Sequence, residues 1–558
     1  MNDIRRTILW VIFGFSLVML WDQWQLHNGR PATFFPVPTA SSAASAASAP
    51  ANGVPNAAAA AATVPGAGGA PAVAAKPREL IEVTTDQVRA TFDSEGASLV
   101  RVELLKYEDE HNPGKPVVLL DQSKERFYVA QSGLVGNAGV AWPTHKTPMN
   151  LRNGPRKLAD GQDSLQLVFE SVPQDGVQLI KTYTFTRGSY AVAVQHEVVN
   201  QSNQTLEPQL YVQLVRDGNK PQGESSFYST FTGPAVFTEA KKYQKVEFAD
   251  AKKGKAEFEK STTSGYVAMV QHYFASAWLL PDGLKRDIAV EAVDLGQPLA
   301  DCCYRATQLA PLGAVAPGQR QNVKATLFVG PQEEKELEAI FPGLELVKDY
   351  GWLTILAKPL YWLLHQLNEW LNNWGWAIVA LVVLLKAAFY WLNAQAYRSM
   401  AKMKAINPRI MEMRERLKDN PQQMQVEMMK IYREEKVNPM GGCLPIAVQI
   451  PVFIALYWVL LSSVEIRNAP WLGWVQDLAA PDPYFILPLL MTASTLLQTW
   501  LNPTPPDPVQ AKLMWIMPLA FSVMFFFFPA GLVLYWLTNN ILSIAQQWMI
   551  NKQLGVIH

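Results

Sequence analysis

Five apolar runs crowd the last third of this chain, at 376–392, 444–461, 484–500, 513–528 and 532–548. Each approaches the ~20 residues that cross a bilayer as a helix. In hydrocarbon only a helix or a closed barrel satisfies its own backbone, so this part of the chain is expected to form a helical membrane unit. Lys386 sits inside the first run, and none of the five runs contains Asp or Glu. An ionisable side chain at that depth is costly, which makes Lys386 a functional candidate.

The rest of the sequence fixes the topology. Arg5 and Arg6 precede an apolar run, Ile8 to Trp21, in the layout of a signal anchor spanning 1–28. Small-residue cleavage patterns occur at 42–47, but Trp21, Trp24 and Phe34-Phe35 separate them from the run, so an uncleaved anchor is expected. With the anchor there are six spans, and the two arginines keep the N-terminus in the cytoplasm. The loop between the second and third spans is then cytoplasmic, and it is rich in bases, among them Arg398, Lys402, Arg409, Arg414, Lys430 and Lys436. The loop Glu465 to Pro483, on the outside by the same count, holds Arg467 as its sole strong base. Overall charge is balanced at 48 basic and 48 acidic residues, so net charge predicts no partner, and no DNA partner is expected.

Residues 29–78 are dominated by Pro, Ala, Ser and Gly and read as a disordered tether. From 79 to 330 the pattern becomes short alternations such as Leu165, Leu167 and Phe169 against Gln166 and Glu170, the period of half-buried strands. Lys181 to Thr186 and Tyr190 to Glu197 flank Arg187-Gly188-Ser189 as a hairpin. Further strands are expected at Ala97 to Leu104, Gln209 to Val215, Asp287 to Val293 and Asn322 to Val329, giving an exported β-sandwich. His145, His196 and His272 are scattered without metal-ligand spacing and are read as structural. Adjacent Cys302 and Cys303 are read as buried thiols rather than a vicinal disulfide.

Residues 331–375 carry a helical pattern from Glu333 to Val347, broken at Pro342-Gly343, and then a dense run of Tyr and Trp expected of interfacial helices at the headgroup layer. Within the basic loop, 397–438 reads as a helical hairpin, Met400 to Lys418 and Pro421 to Val437, with Asn420 as cap. Met403, Met411, Met413, Met424, Met428 and Met429 are expected to zip its two helices.

Three motifs carry a resemblance. Asn438-Pro-Met-Gly-Gly-Cys443-Leu-Pro445 followed by Gln449-Ile-Pro451 and Phe453, Tyr397 to Lys404, and Phe528-Pro529-Ala-Gly531-Leu-Val-Leu-Tyr535 resemble the core signatures of the YidC/Oxa/Alb membrane insertases. An anchor span followed by a large exported domain is similar to the Gram-negative type of that family. The resemblance implies an inner-membrane insertase and chaperone without cofactor or enzymatic step. Its fold would be polytopic α-helical, a five-helix insertase core at 376–550, with a periplasmic all-β supersandwich. It implies a hydrophilic groove closed on the outer side, with a cation in the second span. That position is Lys386 here, where arginine is usual, so point attraction is kept while the forked geometry is lost. Gln449, Asn539, Asn540 and Ser543 are candidates to keep the groove wet, or else to join helices. Ile450, Phe453, Ile454, Met524 and Phe525 are candidates for an apolar slide along which a substrate helix passes into lipid. Nascent membrane proteins, the phospholipid bilayer and the Sec translocon are the implied partners. In relatives the hairpin and the loop 502–511 also meet the ribosome and the signal-recognition receptor. The short tail, 551–558, lacks a basic extension, so tail-mediated ribosome binding is not expected. The alternatives are a secondary transporter, or a membrane-anchored sugar-binding or cell-wall protein.

Overall fold

The computed structural model describes residues 78–110, 112–221, 230–297, 299, 301–417, 420–435, 444–502 and 508–553. The anchor, nearly all of the tether, Cys443 and most of the tail lie outside the described residues. The rest divides into two compact units, one ending at Lys348 and one starting at Asp349.

The first unit is two nine-stranded sheets, antiparallel throughout the named strands. Alternation builds it: Leu165, Leu167 and Phe169 are buried while Gln166 is exposed. The expected hairpin forms from Val177–Thr186 and Ala191–Asn200, with Phe185 opposite Val192, and Gly188 takes the left-handed turn position. The sheets meet on aromatic packing: the Phe92 ring lies 4.7 Å from Tyr183 and 5.4 Å from Phe169. Each such ring contributes roughly 2–3 kcal/mol by burial. Cys302 and Cys303 are joined as a vicinal disulfide, which corrects the reading of two thiols.

Lys181 is one of several charged side chains buried in this unit. It occupies the inward phase of its strand, between Leu179 and Tyr183, and is fully buried. Its Nζ donates, at 2.7 Å each, to Ser132 O on the opposing sheet and to Gly96 O in the turn between two of that sheet's strands. Burial pushes its pKa down to about 7. His196 Nε2 pairs with Ser132 Oγ at 2.8 Å beside it, and burial holds that imidazole neutral.

The second unit is helical: α1 (Thr354–Leu371), α2 (Trp374–Ala388), α3 (Tyr390–Arg416), α4 (Pro421–Glu434), α5 (Leu444–Ser462), α6 (Ile486–Leu501), α7 (Pro508–Met524) and α8 (Ala530–Gln553). On α1, Ala357, Tyr361, Leu364 and Leu367 are buried while Ile355, Trp362 and Trp370 are exposed, an amphipathic division. Asn373 caps α2 by accepting from Trp376 N at 3.0 Å. Asn420 caps α4 through Gln423 N at 3.2 Å. The α3/α4 hairpin packs Ile406, Ile410, Met413 and Ile431 with Met403, Met424 and Met428. Met411 and Met429 instead face outward, and isoleucines share the seam with the other four methionines. Arg409 ties the hairpin to Glu435 at 2.9 Å and Glu434 at 3.0 Å.

One boundary differs in kind. Residues 376–392 read as one apolar run, yet the helix breaks at Phe389, and Trp374–Ala388 and Tyr390–Met403 meet at 68°. No Pro or Gly lies there. A tertiary contact sits at the bend: Gln546 on α8 donates to Tyr390 O at 3.1 Å. Among the described residues no single helix is long and apolar enough to cross a membrane; this bent pair together meets the length and composition of a span.

Candidate functional site

α2, α3, α5 and α8 line an open cleft in which polar groups project among apolar ones. Val382, Leu385, Phe389, Leu392 and Val452 make apolar wall, and Lys386, Asn393, Gln449 and Asn539 make the polar part. Lys386 Nζ donates to Ser543 Oγ at 2.7 Å. Ser543 can accept because its own hydroxyl proton goes to Asn539 O, one turn back on α8, also at 2.7 Å. Across the cleft, Gln449 Nε2 donates to Asn539 Oδ1 at 2.8 Å. The four residues thus form a chain of amide, amide, hydroxyl and ammonium joining three helices. Among the described residues Lys386 has no carboxylate partner. Its one protein acceptor leaves two of its three protons to water or a visiting anion.

Local sequence explains the convergence. Tyr535, Asn539, Ser543 and Gln546 recur at helical spacing along one face of α8. Tyr535 and Asn539 line the cleft, Ser543 meets Lys386, and Gln546 holds the elbow just beyond it. Asn393, Tyr535 and Gln546 were not singled out from sequence, although this spacing would have found the last two.

Asn540 stands on the neighbouring face. It is buried and donates to Thr495 Oγ1 at 3.0 Å and Ser494 Oγ at 3.3 Å on α6, away from the cleft lining. Gln547 repeats the pattern one heptad later, donating to Asn502 Oδ1 at 3.0 Å.

Of the apolar slide residues, Ile450 is half exposed on α5, while Phe453 and Ile454 are intermediate. The Phe453 ring lies 4.4 Å from Trp536. Met524 is intermediate. Phe525 is buried, its ring held 5.1 Å from Trp536 and 5.7 Å from Phe528, so it packs inside rather than lining an outer slide. The outward surface of α7 is carried by Ile516, Leu519, Phe521 and Val523.

A cation held by polar side chains inside an apolar helical unit, in a chain that also carries a two-sheet domain, suits a protein that handles polar cargo within a membrane. Two family models divide the chain between them: residues 80–363 match the YidC periplasmic domain, and 366–555 match the 60Kd inner membrane protein. A protein of Cupriavidus pinatubonensis named membrane protein insertase YidC is 56% identical over 558 residues, covering 99% of this chain and 98% of its own. One of Ralstonia nicotianae with the same name is 55% identical over 560 residues, with 99% and 98% covered. A solved structure of an active YidC insertase with its first transmembrane domain resolved aligns at a TM-score of 0.36 and 16% identity, covering 85% of this chain and 94% of that one. The chain belongs to the YidC family of inner-membrane protein insertases, and its two-sheet unit is that family's periplasmic domain.

Proposed function

We propose that this protein inserts membrane proteins into the inner membrane and helps them fold by receiving the polar exported tail of a substrate in the cleft at Lys386. The observation that carries this reading is the Lys386–Ser543 contact inside an apolar helical unit, with the Gln449–Asn539 pair beside it. Moving an acidic residue to the centre of a bilayer costs roughly 2.5–3.5 kcal/mol on insertion scales. A cation 4 Å from a carboxylate returns about 4 kcal/mol at an effective dielectric near 20, and about 1 kcal/mol in bulk water. One lysine therefore offsets about one acidic residue, and a tail with several acids needs other help. Burial of the substrate's apolar segment in lipid supplies the remaining driving force, so the step needs neither nucleotide nor catalytic residue.

In this reading six spans cross the membrane: the anchor and the runs 376–392, 444–461, 484–500, 513–528 and 532–548. Both termini are cytoplasmic, the tether at 29–78 leads to a supersandwich at 79–330, and α1 lies along the outer interface within 331–375. Its exposed Ile355, Trp362 and Trp370 support that placement. The substrate slides past Ile450, Phe453, Ile454 and Met524 on its way to lipid. The α3/α4 hairpin and the loop at 502–511 meet the ribosome, the signal-recognition receptor and the Sec translocon, a reading supported by the basic excess of the hairpin.

Proteoliposomes test it. A small single-span substrate with an acidic exported tail should become protease-protected faster when the purified full-length protein is present. No increase over protein-free liposomes overturns the proposal.

A further inference from the structure

The connection 463–485 between α5 and α6 lies on the outer side in the proposed topology, and it is fastened to the first turns of three helices. Pro470 O accepts from Asn373 Nδ2 at 3.0 Å, while Oδ1 of the same side chain caps α2 at Trp376 N. Asp482, almost wholly buried, accepts from Tyr484 N at 3.0 Å and Leu487 N at 2.7 Å at the start of α6, and from Trp474 Nε1 at 3.1 Å. Leu478 O and Ala480 O accept from Gly531 N and Ala530 N, both at 2.8 Å, at the start of α8. The N–H groups of Trp376, Leu487, Ala530 and Gly531 are donors that a helix leaves unsatisfied in its first turn.

Trp471 adds a contact of a different kind. It sits across Gly375 in the first turn of α2, where a Cβ would come within 2.2 Å of Trp471 Cδ1 and 2.6 Å of its Cβ, so only glycine leaves room for it. Its ring lies 5.7 Å from that of Trp376, at an interplanar angle of 71°. Trp471 N donates to Val475 O at 3.0 Å, closing the turn that carries the ring. The indole N–H itself is buried and has no acceptor among the described residues. A tryptophan of an interfacial belt keeps that group wet at the headgroup level, whereas here shape alone seats the ring.

One turn further along α2 the helices close on one another. A Cβ at Gly531 on α8 would lie 3.4 Å from Ile378 Cδ1 and 3.1 Å from Leu478 O, so α2, α8 and the loop approach each other closely there. Ile378, Leu381, Leu478 and Leu534 are all almost wholly buried. Lys386 lies three turns along α2 from Gly375, about 16 Å away. The polar cleft therefore ends in an apolar septum, and Trp471 caps its outer end at α2.

We propose that Trp471, seated on Gly375, is the ion seal of this end and keeps water in the Lys386 cleft from joining water on the outer side. A narrow apolar constriction excludes ions because it does not stay wetted, and removing one large ring from its end opens a gap that water can enter. The hydrogen-bonded fastenings hold the loop in place, and the ring fills the space beside α2 that no Cβ occupies. The seal rests on the insertase reading, since it needs the cleft to lie within a membrane. Trp471 is a positioning residue in that reading, away from the groups that receive the substrate tail.

Full-length protein in liposomes that hold a potassium diffusion potential tests it, with decay followed by a voltage-sensitive dye and insertion of a small single-span substrate measured in the same preparation. The wild-type protein should hold the potential as protein-free liposomes do. Trp471→Ala should speed the decay about tenfold, and Gly375→Val, which displaces the ring without altering it, should do the same. Trp471→Phe should restore most of the seal. Ile550→Ala, a cavity at the buried far end of α8, should lower thermal unfolding without added decay, which separates a broken seal from a weakened helical unit. Unchanged decay in both Trp471→Ala and Gly375→Val, in protein that still inserts substrate, overturns the seal and leaves the insertase reading standing. Decay as fast with Ile550→Ala as with Trp471→Ala overturns it too. Wild-type protein that holds the potential but inserts nothing overturns the insertase reading and the seal with it.

Discussion

Lys181 in the β domain and Lys386 in the helical unit are both lysines set among apolar neighbours, yet their ammonium groups are handled in opposite ways. Lys181 is fully buried, reaches across to the other sheet and is captured by two backbone carbonyls at 2.7 Å. Lys386 is half buried, faces a cleft and has a single hydroxyl acceptor. The first ammonium is spent on structure, since both carbonyls it meets would otherwise lose a buried donor, at about 1–3 kcal/mol each. The second keeps its remaining protons available. The same residue type thus serves as a strut or as a docking point, according to how many protein acceptors surround it.

The largest effect that can break this comparison is on insertion. Lys386→Ala should slow insertion of a substrate with one or two acidic residues in its exported tail by about tenfold in proteoliposomes, since a charge contact of roughly 1–4 kcal/mol is lost. Lys386→Arg should keep most of the activity, and a neutral-tailed substrate should be little affected by either change. Equal loss for acidic and neutral tails would make Lys386 a second strut. Lys181→Ala tests the other side. It leaves a void and two carbonyls without their donor, so the β domain should lose about 3 kcal/mol in denaturant unfolding of the full chain. A loss below about 1 kcal/mol would show that Lys181 is not a strut.

Acidity sharpens the contrast further. Lys181 has its folded pKa lowered to about 7 from 10.5. Between those values the unfolded chain binds more protons, so β-domain stability should rise with pH across that interval. Below pH 7 both states are protonated and the full cost of burying the ammonium is present. His145, lowered to about 3 from 6.5, adds a separate rise across its own lower window. Lys181→Met should flatten the upper slope in thermal unfolding measured at several pH values and shrink the lower one only slightly, since burial rather than the Lys181 charge is the main cause of the His145 lowering. An upper slope that survives the substitution assigns it to another group.

Much of both lysines was visible in the sequence, for different reasons. Lys386 stands out because a charge in an apolar run has no other explanation. Lys181 was passed over, although Leu179, Lys181, Tyr183 and Phe185 share the inward phase of one strand and the pattern alone puts the ammonium inside. Strand alternation and the apolar runs behind α5 to α8 are local signals, and the elements follow them closely. The elbow at Phe389 was not legible, since no Pro or Gly marks it and the residue that contacts it, Gln546, lies far along the chain. The inward turn of Phe525 was hidden likewise, because Trp536 and Phe528 that hold it are fixed by packing rather than by spacing. Asn539 and Asn540 are adjacent in sequence yet serve the cleft and a helix joint respectively, a division set by the 100° step between neighbours on a helix.

That division yields the smallest and most discriminating prediction. Asn540→Ala removes the hydrogen bonds to Thr495 and Ser494 without touching the cleft, and polar contacts between membrane helices average about 0.6 kcal/mol. Thermal unfolding of the helical unit should fall slightly, while insertion of acidic-tailed and neutral-tailed substrates should change in equal and minor proportion. Asn539→Ala should do the reverse. It breaks the link to Gln449, and although the Ser543 hydroxyl keeps its backbone acceptor, the chain of polar groups that leads to Lys386 is interrupted. Acidic-tailed substrates should then suffer more than neutral ones, with little change in unfolding. If Asn540→Ala proves selective for acidic tails instead, the polar face of α8 is wider than the cleft lining indicates, and the helix joint itself takes part in receiving the substrate.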